Sequence, residues 1–279
     1  MPERGTMVSG IIVENRCVAP DHFYLSVRLP MDFATPLPGQ FVMIRESRTK
    51  EPLLARPFSV FGFKRYEDQG LLELLFRVCG TGTRLLARMK PGAELAVLGP
   101  LGRGFTLPSG VRQIVFVAGG IGVAPLVYLL HSGLLTTRAG DEIRTNFYLG
   151  ARSAGLLTAH ERLRNFCELG ICTDDGSQGY HGPVTAMLED DITRFDPGRT
   201  IIFACGPTPM VRALITLLEE HPIPCQVSLE ERMACGLGAC LGCVVAIRGA
   251  EGKREYRRVC QDGPVFDLRE VLLAPPRGA

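Results

Sequence analysis

The sequence predicts a multi-domain chain: an antiparallel β-barrel over residues 1–105, an α/β domain with a parallel sheet over 106–227, and a small cysteine-bearing segment over 228–279. Three observations predict it. Short apolar runs broken by Gly and Pro fill the first third. Strand-like and helix-like runs then alternate. Four of the ten cysteines, Cys235, Cys240, Cys243 and Cys260, fall close together near the C-terminus.

The barrel rests on Gly10–Val13, Phe23–Leu29, Phe41–Ile44, Phe58–Phe61 and Leu71–Val78, separated by Pro36, Pro38–Gly39, Gly70, Pro91–Gly92 and Gly99–Pro100. Several short strands with frequent turn signals suit a small closed sheet. Thr83–Met89 reads as one interrupting helix. In the α/β part the strands Ile114–Val117, Thr145–Leu149 and Thr200–Ala204 each precede a helical run, at Pro125–Leu130, Ala159–Glu168 and Pro209–Glu220. Strand and helix in alternation are the pattern of a parallel sheet covered by helices. The last residues, Pro275 to Ala279, read as a frayed tail.

Bulk properties narrow the function classes. The chain has 279 residues, 46% of them hydrophobic, and a mean hydropathy of +0.14, enough for two domains without disulfide staples. Lys and Arg number 31 against 29 Asp and Glu, a net charge of +2, so no nucleic-acid partner is expected. The basic group Lys253–Arg258 reads as solvated turns. Met1–Gly10 is polar and lacks the apolar core of a signal peptide. No apolar run is long enough to cross a bilayer. The expected location is the cytoplasm, where cysteines do not pair as structural disulfides.

The cysteines carry the most specific signal. Cys235, Cys240 and Cys243 stand in a C-x4-C-x2-C pattern, with Cys260 farther on. That is the plant-type spacing for a [2Fe–2S] cluster. Gly236, Gly238 and Gly242 let the backbone wrap closely and aim N–H groups at anionic sulfur. A zinc knuckle also uses four cysteines, but it favours two short C-x2-C-like pairs.

Three weaker motifs sit at strand ends. In Val117–Pro125 a buried strand enters a turn containing Gly119, Gly120 and Gly122 and leaves as a helix with Pro125 in its first turn. Such a turn admits a pyrophosphate at a helix N-terminus; a plain strand–turn–helix connection fits as well. Cys205–Gly206–Pro207 follows another buried strand and can line the same crevice. Cys205 by itself reads as a buried, inert thiol. Arg56–Pro57–Phe58–Ser59, with Leu75–Phe76–Arg77 and Gly82–Thr83, offers a planar guanidinium for phosphate, a ring to pack on a flavin and a hydroxyl for its edge. Taken alone, it is a strand with one exposed Arg. Arg152 reads as a surface residue, and the five histidines as surface or capping residues.

In this order the four motifs resemble those of the ferredoxin–NAD(P) reductase superfamily. Leu229–Cys243 and Val259–Phe266 narrow the likeness to electron-transfer subunits of type B dihydroorotate dehydrogenases. The resemblance implies FAD at Arg56, Pro57, Phe58, Ser59, Leu75, Phe76, Arg77, Gly82 and Thr83. It implies NAD at Gly119, Gly120, Gly122, Pro125, Cys205, Gly206 and Pro207, and a [2Fe–2S] cluster on the four cysteines. Phe58 stands where the family usually has an aliphatic residue. The resemblance further implies an FMN-containing catalytic partner that oxidises dihydroorotate, two of each subunit in a heterotetramer, and a place in pyrimidine biosynthesis. This chain would pass electrons to NAD+ and supply no base for the dihydroorotate step. A reductase serving a hydrogenase, an oxygenase or a ferredoxin is the neighbouring reading. A non-catalytic redox-sensing or zinc-stabilised module is the reading from another class.

Overall fold

A computed structural model of the chain describes residues 5–47, 53–135 and 143–273; the expected frayed tail lies outside them. Six strands form a closed antiparallel barrel: β1 (Thr6–Ala19), β2 (His22–Pro30), β3 (Phe41–Glu46), β4 (Arg56–Arg65), β5 (Gln69–Arg77) and β6 (Glu94–Leu101). Their order around the barrel is β1-β2-β5-β4-β3-β6. Register shifts at Ile12/Glu14 and Phe41/Met43 bend the strands so that the sheet can close. Leu25, Val27, Val42, Val60, Leu72 and Val97 fill the interior. Helix α1 (Thr81–Arg88) lies between β5 and β6 in the chain and packs Leu86 into that core.

The α/β part contains β7 (Gln113–Gly119), α2 (Val123–His131), β8 (Arg144–Ala151), β9 (Glu168–Thr173), β10 (Tyr180–His181), α3 (Val184–Asp191), β11 (Thr200–Cys205), α4 (Thr208–Glu220) and β12 (Cys225–Ser228). The remainder contains β13 (Val244–Arg248), β14 (Arg254–Arg258), α5 (Val259–Asp262), β15 (Val265–Asp267) and β16 (Val271–Leu272). The large sheet runs β10-β9-β8-β7-β11-β12-β15, parallel except for β15 against β12. The chain steps outward from β7 to β10, then returns to the other side of β7 as β11. The strand order therefore reverses between β7 and β11, and a ligand crevice opens at the carboxyl ends of such a pair. The small sheet is β14-β13-β16.

Two sequence expectations change. Ala159–Glu168 forms only a short 3-10 turn at His160–Arg162, and Glu168 already begins β9. Leu163 is fully buried but Phe166 is largely exposed, so a helix here has no continuous face to bury. Arg254–Arg258, read as part of a run of solvated turns, pairs as strand β14 with β13. Its charges stay in solvent because this two-faced strand sits at a sheet edge.

The barrel and the large sheet meet across an apolar seam. Tyr24, Phe61 and Leu75 of the barrel pack with Val123, Leu126 and Leu163. Tyr128 of α2 reaches into the barrel, where its hydroxyl donates to the Pro36 carbonyl at 2.7 Å. One carboxylate lies in this seam. Glu73 is 5% exposed, accepts from the Tyr24 hydroxyl at 2.7 Å, and receives two bonds from Arg162, at 3.0 and 3.1 Å. Burial pushes the Glu73 carboxyl up, but the Arg162 and Tyr24 hydrogen bonds outweigh it and hold it below the ordinary 4.5. Its stabilising contribution is therefore complete above that value and is lost as the pH falls through the depressed one. Glu73→Gln is expected to cost about 1–3 kcal/mol at pH 7. The gap in Tm between variant and wild type should close as the pH is lowered below 4.5, as followed by thermal unfolding across pH.

Candidate functional site

Three groups of residues converge around the barrel and the ends of β7 and β11. The first surrounds Arg56. Register pairs Arg56 with Ile44, Pro57 with Met43, Phe58 with Val42 and Ser59 with Phe41. Arg56 and Phe58 point to one face of β4, where they line a cleft with Ile44, Gly82 and Leu85. A Cβ on Gly82 would lie 2.7 Å from the Arg56 guanidinium, so the glycine lets α1 sit directly beneath that charge. The first turn of α1 carries no acidic residue, and Gly80 provides no side-chain cap. Guanidinium and helix start together suit a phosphate. Thr83 acts locally: its hydroxyl accepts from the Cys79 and Gly80 amides at 2.9 and 3.1 Å and so shapes that helix start.

Phe58 is 8% exposed and meets Phe76 edge to face at 5.5 Å. Phe76 is buried against Phe58 and backs the cleft wall, whereas Leu75 is buried on the other side, in the seam with the sheet domain. Arg77, at the end of β5, is exposed. Ser59 shares the other face of β4 with Pro57, and its hydroxyl has no hydrogen-bond partner among the described residues.

The second group joins the two strand-end turns. Gly119–Gly122 and Cys205–Pro207 touch: a Cβ on Gly122 would lie 2.3 Å from the Cys205 carbonyl, and one on Gly119 would lie 2.8 Å from Pro207. Gly120 differs. Its φ is +54°, and a Cβ there would meet nothing within 4 Å. Gly122 is thus a glycine for packing, and Gly120 is the one facing open space. Pro125 is buried in the first turn of α2. Cys205 is 1% exposed, and burial pushes its thiol well up, as an inert core thiol requires.

The third group is the cysteine loop. Cys243 and Cys260 are 2% exposed, Cys235 is half-buried and Cys240 is exposed. Amide N–H groups point at the sulfurs: Gly238 at Cys260 (3.1 Å), Leu237 at Cys235 (3.4 Å) and Gly242 at Cys240 (3.5 Å). Gly236, Gly238 and Leu241 take positive φ to make this possible. Burial raises the Cys235 thiol, but N–H donors from Leu237, Cys240 and Ala239 outweigh it and bring it to about 7. Burial and the nearby Cys243 push Cys260 up to about 12. The four thiols lie close enough to influence one another, Cys235 with Cys240 and Cys260 with both Cys243 and Cys235. Among the described residues, no three His, Cys, Asp or Glu side chains gather to hold a single ion. The four-thiol donor set and the N–H groups aimed at it fit a [2Fe–2S] cluster.

A family model described as the iron-sulfur cluster binding domain of dihydroorotate dehydrogenase B matches residues 230–272. The chain is 40% identical to a dihydroorotate dehydrogenase B (NAD(+)) electron transfer subunit of Desulforamulus reducens, over 91% of this chain and 94% of that one. The chain belongs to this family of electron transfer subunits. A second family member, from Bacillus caldolyticus, is 39% identical over 97% of this chain and 98% of its own. Among solved structures, an NADH-dependent reduced ferredoxin-NADP oxidoreductase is similar at a TM-score of 0.78 and 28% identity, covering 94% of this chain and 89% of that one. The ferredoxin reductase of a carbazole 1,9a-dioxygenase shares the fold at a TM-score of 0.66 and 22% identity, over 79% and 67% of the two chains. The chain is accordingly an oxidoreductase subunit with a ferredoxin-reductase-like fold.

Sequence reasoning missed several residues. Glu73 and Arg162 are 89 positions apart, and no local pattern connects them. Glu230 feels the Arg77 charge and is itself felt by Cys205, although neither is near it in sequence. Its carboxyl is pushed up by the protein packed around it, with the Arg77 charge opposing. His22, expected at the surface, is buried with Nδ1 2.7 Å from the Pro20 carbonyl.

Three outcomes follow from this geometry. Arg56→Ala removes the guanidinium that lines this cleft and is expected to weaken FAD retention by about 1.5–3 kcal/mol, read as flavin occupancy after dialysis. Gly122→Val drives a side chain into the Cys205 carbonyl and should lower thermal stability by about 1–3 kcal/mol. Gly120→Ala should instead leave the fold intact at a strain of about 1–2 kcal/mol and raise the KM for a nicotinamide nucleotide.

Proposed function

We propose that this chain is the electron-transfer half of an NAD+-reducing dihydroorotate dehydrogenase. Electrons from the FMN of a catalytic subunit would pass through [2Fe–2S] and FAD on this chain to NAD+. One observation carries the reading: the cluster loop touches the strand beside the flavin motif. A Cβ on Gly236 would lie 2.7 Å from Met43, and Met43 pairs with Pro57 across β3 and β4. The cysteine loop and Arg56–Ser59 are therefore one strand apart. Helix α2 packs against β4 itself and begins at the Gly119–Gly122 turn.

A bound flavin exchanges electrons singly with an iron-sulfur centre and as a pair with a nicotinamide, which makes it the necessary intermediary. The chain's own residues bind and orient. Arg56 and the start of α1 hold phosphate, and the Ser59 hydroxyl is free for a flavin edge. The open side of Gly120 receives a pyrophosphate. The four cysteines hold iron. No residue here is assigned to dihydroorotate, whose oxidation belongs to the partner.

The partner surface in this reading surrounds the exposed Cys240, where Leu237, Leu241 and Val244 are also exposed. The assembly would be a heterotetramer with two catalytic subunits, working in the cytoplasm on the route to pyrimidine nucleotides. Among the described residues no helix is long and apolar enough to cross a membrane.

The test mixes this chain with its FMN-bearing partner and follows NAD+ reduction driven by dihydroorotate. Alone, the chain should oxidise NADH with an artificial acceptor and leave dihydroorotate untouched. Cys240→Ser should largely keep that diaphorase activity and abolish the coupled reaction. A coupled rate near normal in a variant shown to lack iron would overturn the electron path.

A further inference from the structure

Glu73 sits among leucines, in Leu71–Leu72–Glu73–Leu74–Leu75. A carboxylate there is costly unless its charge is met. The barrel makes room for it: Gly62 stands opposite in register, and a Cβ on Gly62 would lie 2.2 Å from Glu73 Oε2. The sheet domain supplies the countercharge. Arg162 Nη1 and Nη2 donate to the two carboxylate oxygens at 3.0 and 3.1 Å. The guanidinium also lies 4.5 Å from the centre of the Phe61 ring. The Arg162 carbonyl in turn accepts from His131 Nε2 at 3.1 Å, at the last residue of α2.

This arrangement ties the barrel to the sheet domain at the end of α2 remote from the glycine turn. On the barrel side, Glu73 is two residues before Leu75–Phe76–Arg77, and Phe61 is two residues after Ser59. On the other side, His131 ends the helix that begins at the glycine turn. A buried ion pair adds little net stability over well-packed apolar residues. What a two-point guanidinium–carboxylate contact adds is orientation, because its planar fork accepts one approach.

Resting on the function proposed above, we infer that Glu73 and Arg162 are positioning residues. They set the angle between barrel and sheet domain, and with it the spacing at which flavin and nicotinamide meet for hydride transfer. An apolar seam alone tolerates small slides; the fork does not. Misplacement of reacting groups by about 1 Å can cost on the order of 100-fold in rate.

The experiment uses the full chain loaded with FAD and cluster. It compares wild type, Arg162→Lys, and the apolar double variant Glu73→Leu/Arg162→Met. Stopped-flow absorbance gives the rate of flavin reduction by NADH and the intensity of the long-wavelength nicotinamide–flavin charge-transfer band. Titration gives the NADH Kd, and thermal unfolding gives Tm. The double variant should keep its Tm, flavin occupancy and NADH Kd, yet reduce flavin at least about tenfold more slowly, with a weakened charge-transfer band. Arg162→Lys keeps the charge and loses the fork, so its rate should fall between the two. An unchanged rate and band in either folded, flavin-loaded variant would overturn the proposal. So would a rate loss accounted for by lost flavin or NADH binding. A wild-type chain that neither holds FAD nor oxidises NADH would overturn the functional reading, and this proposal with it.

Discussion

A single apolar core passing through all three parts of the chain is the constraint on which the arrangement depends. Met43 and Leu101 from the barrel, Val117 and Ile202 from the large sheet, and Cys243, Ile247, Cys260 and Val271 from the C-terminal segment belong to one buried cluster. Cys243 and Cys260, two of the four clustered cysteines near the C-terminus, are members of that core. Interiors at native density are closely packed, so parts that share one core stay together, while the Glu73–Arg162 fork sets how they are oriented. Strand β15 adds a second tie, because it completes the large sheet against β12 although it comes from the C-terminal segment. The backbone bond from the Arg103 amide to the Gly263 carbonyl joins the end of the barrel to the same segment.

Much of this was legible in the sequence. The C-x4-C-x2-C spacing, alone among the motifs, pointed to its chemistry without help, because few other sites need three cysteines in so short a loop. The alternation of apolar strands and helices from Gln113 onward marked the parallel sheet, and β7 and β11 are buried along nearly their whole length. The barrel was legible through its Gly and Pro breaks. The roles inside the turns were less so. Gly119, Gly120 and Gly122 look alike in sequence, yet only the fold shows that Gly122 yields to the Cys205 carbonyl while Gly120 faces open space. Phe58 reads as a ring for stacking, but its neighbour across the barrel, Phe76, draws it into the wall.

Long-range polar pairing was the part that pattern could not reach. Glu73 interrupts a run of leucines, which marks it as unusual but names no partner. Arg162 lies in a stretch that reads as an amphipathic helix and in fact forms a short turn. The helix expectation failed because the segment is anchored at Leu163 and by the Arg162 contacts, leaving Phe166 outside. Gly62 is a similar case: its lack of a side chain is explained only by the carboxylate lying across from it.

The cysteine loop is uneven in depth. Cys243 and Cys260 are sealed inside, whereas Cys240 stands at the surface and Cys235 is only half covered. The inner pair is organised by the core and the outer pair by backbone turns. Solvent, and any oxidant dissolved in it, therefore meets the loop at Cys240 before it can reach the sealed thiols.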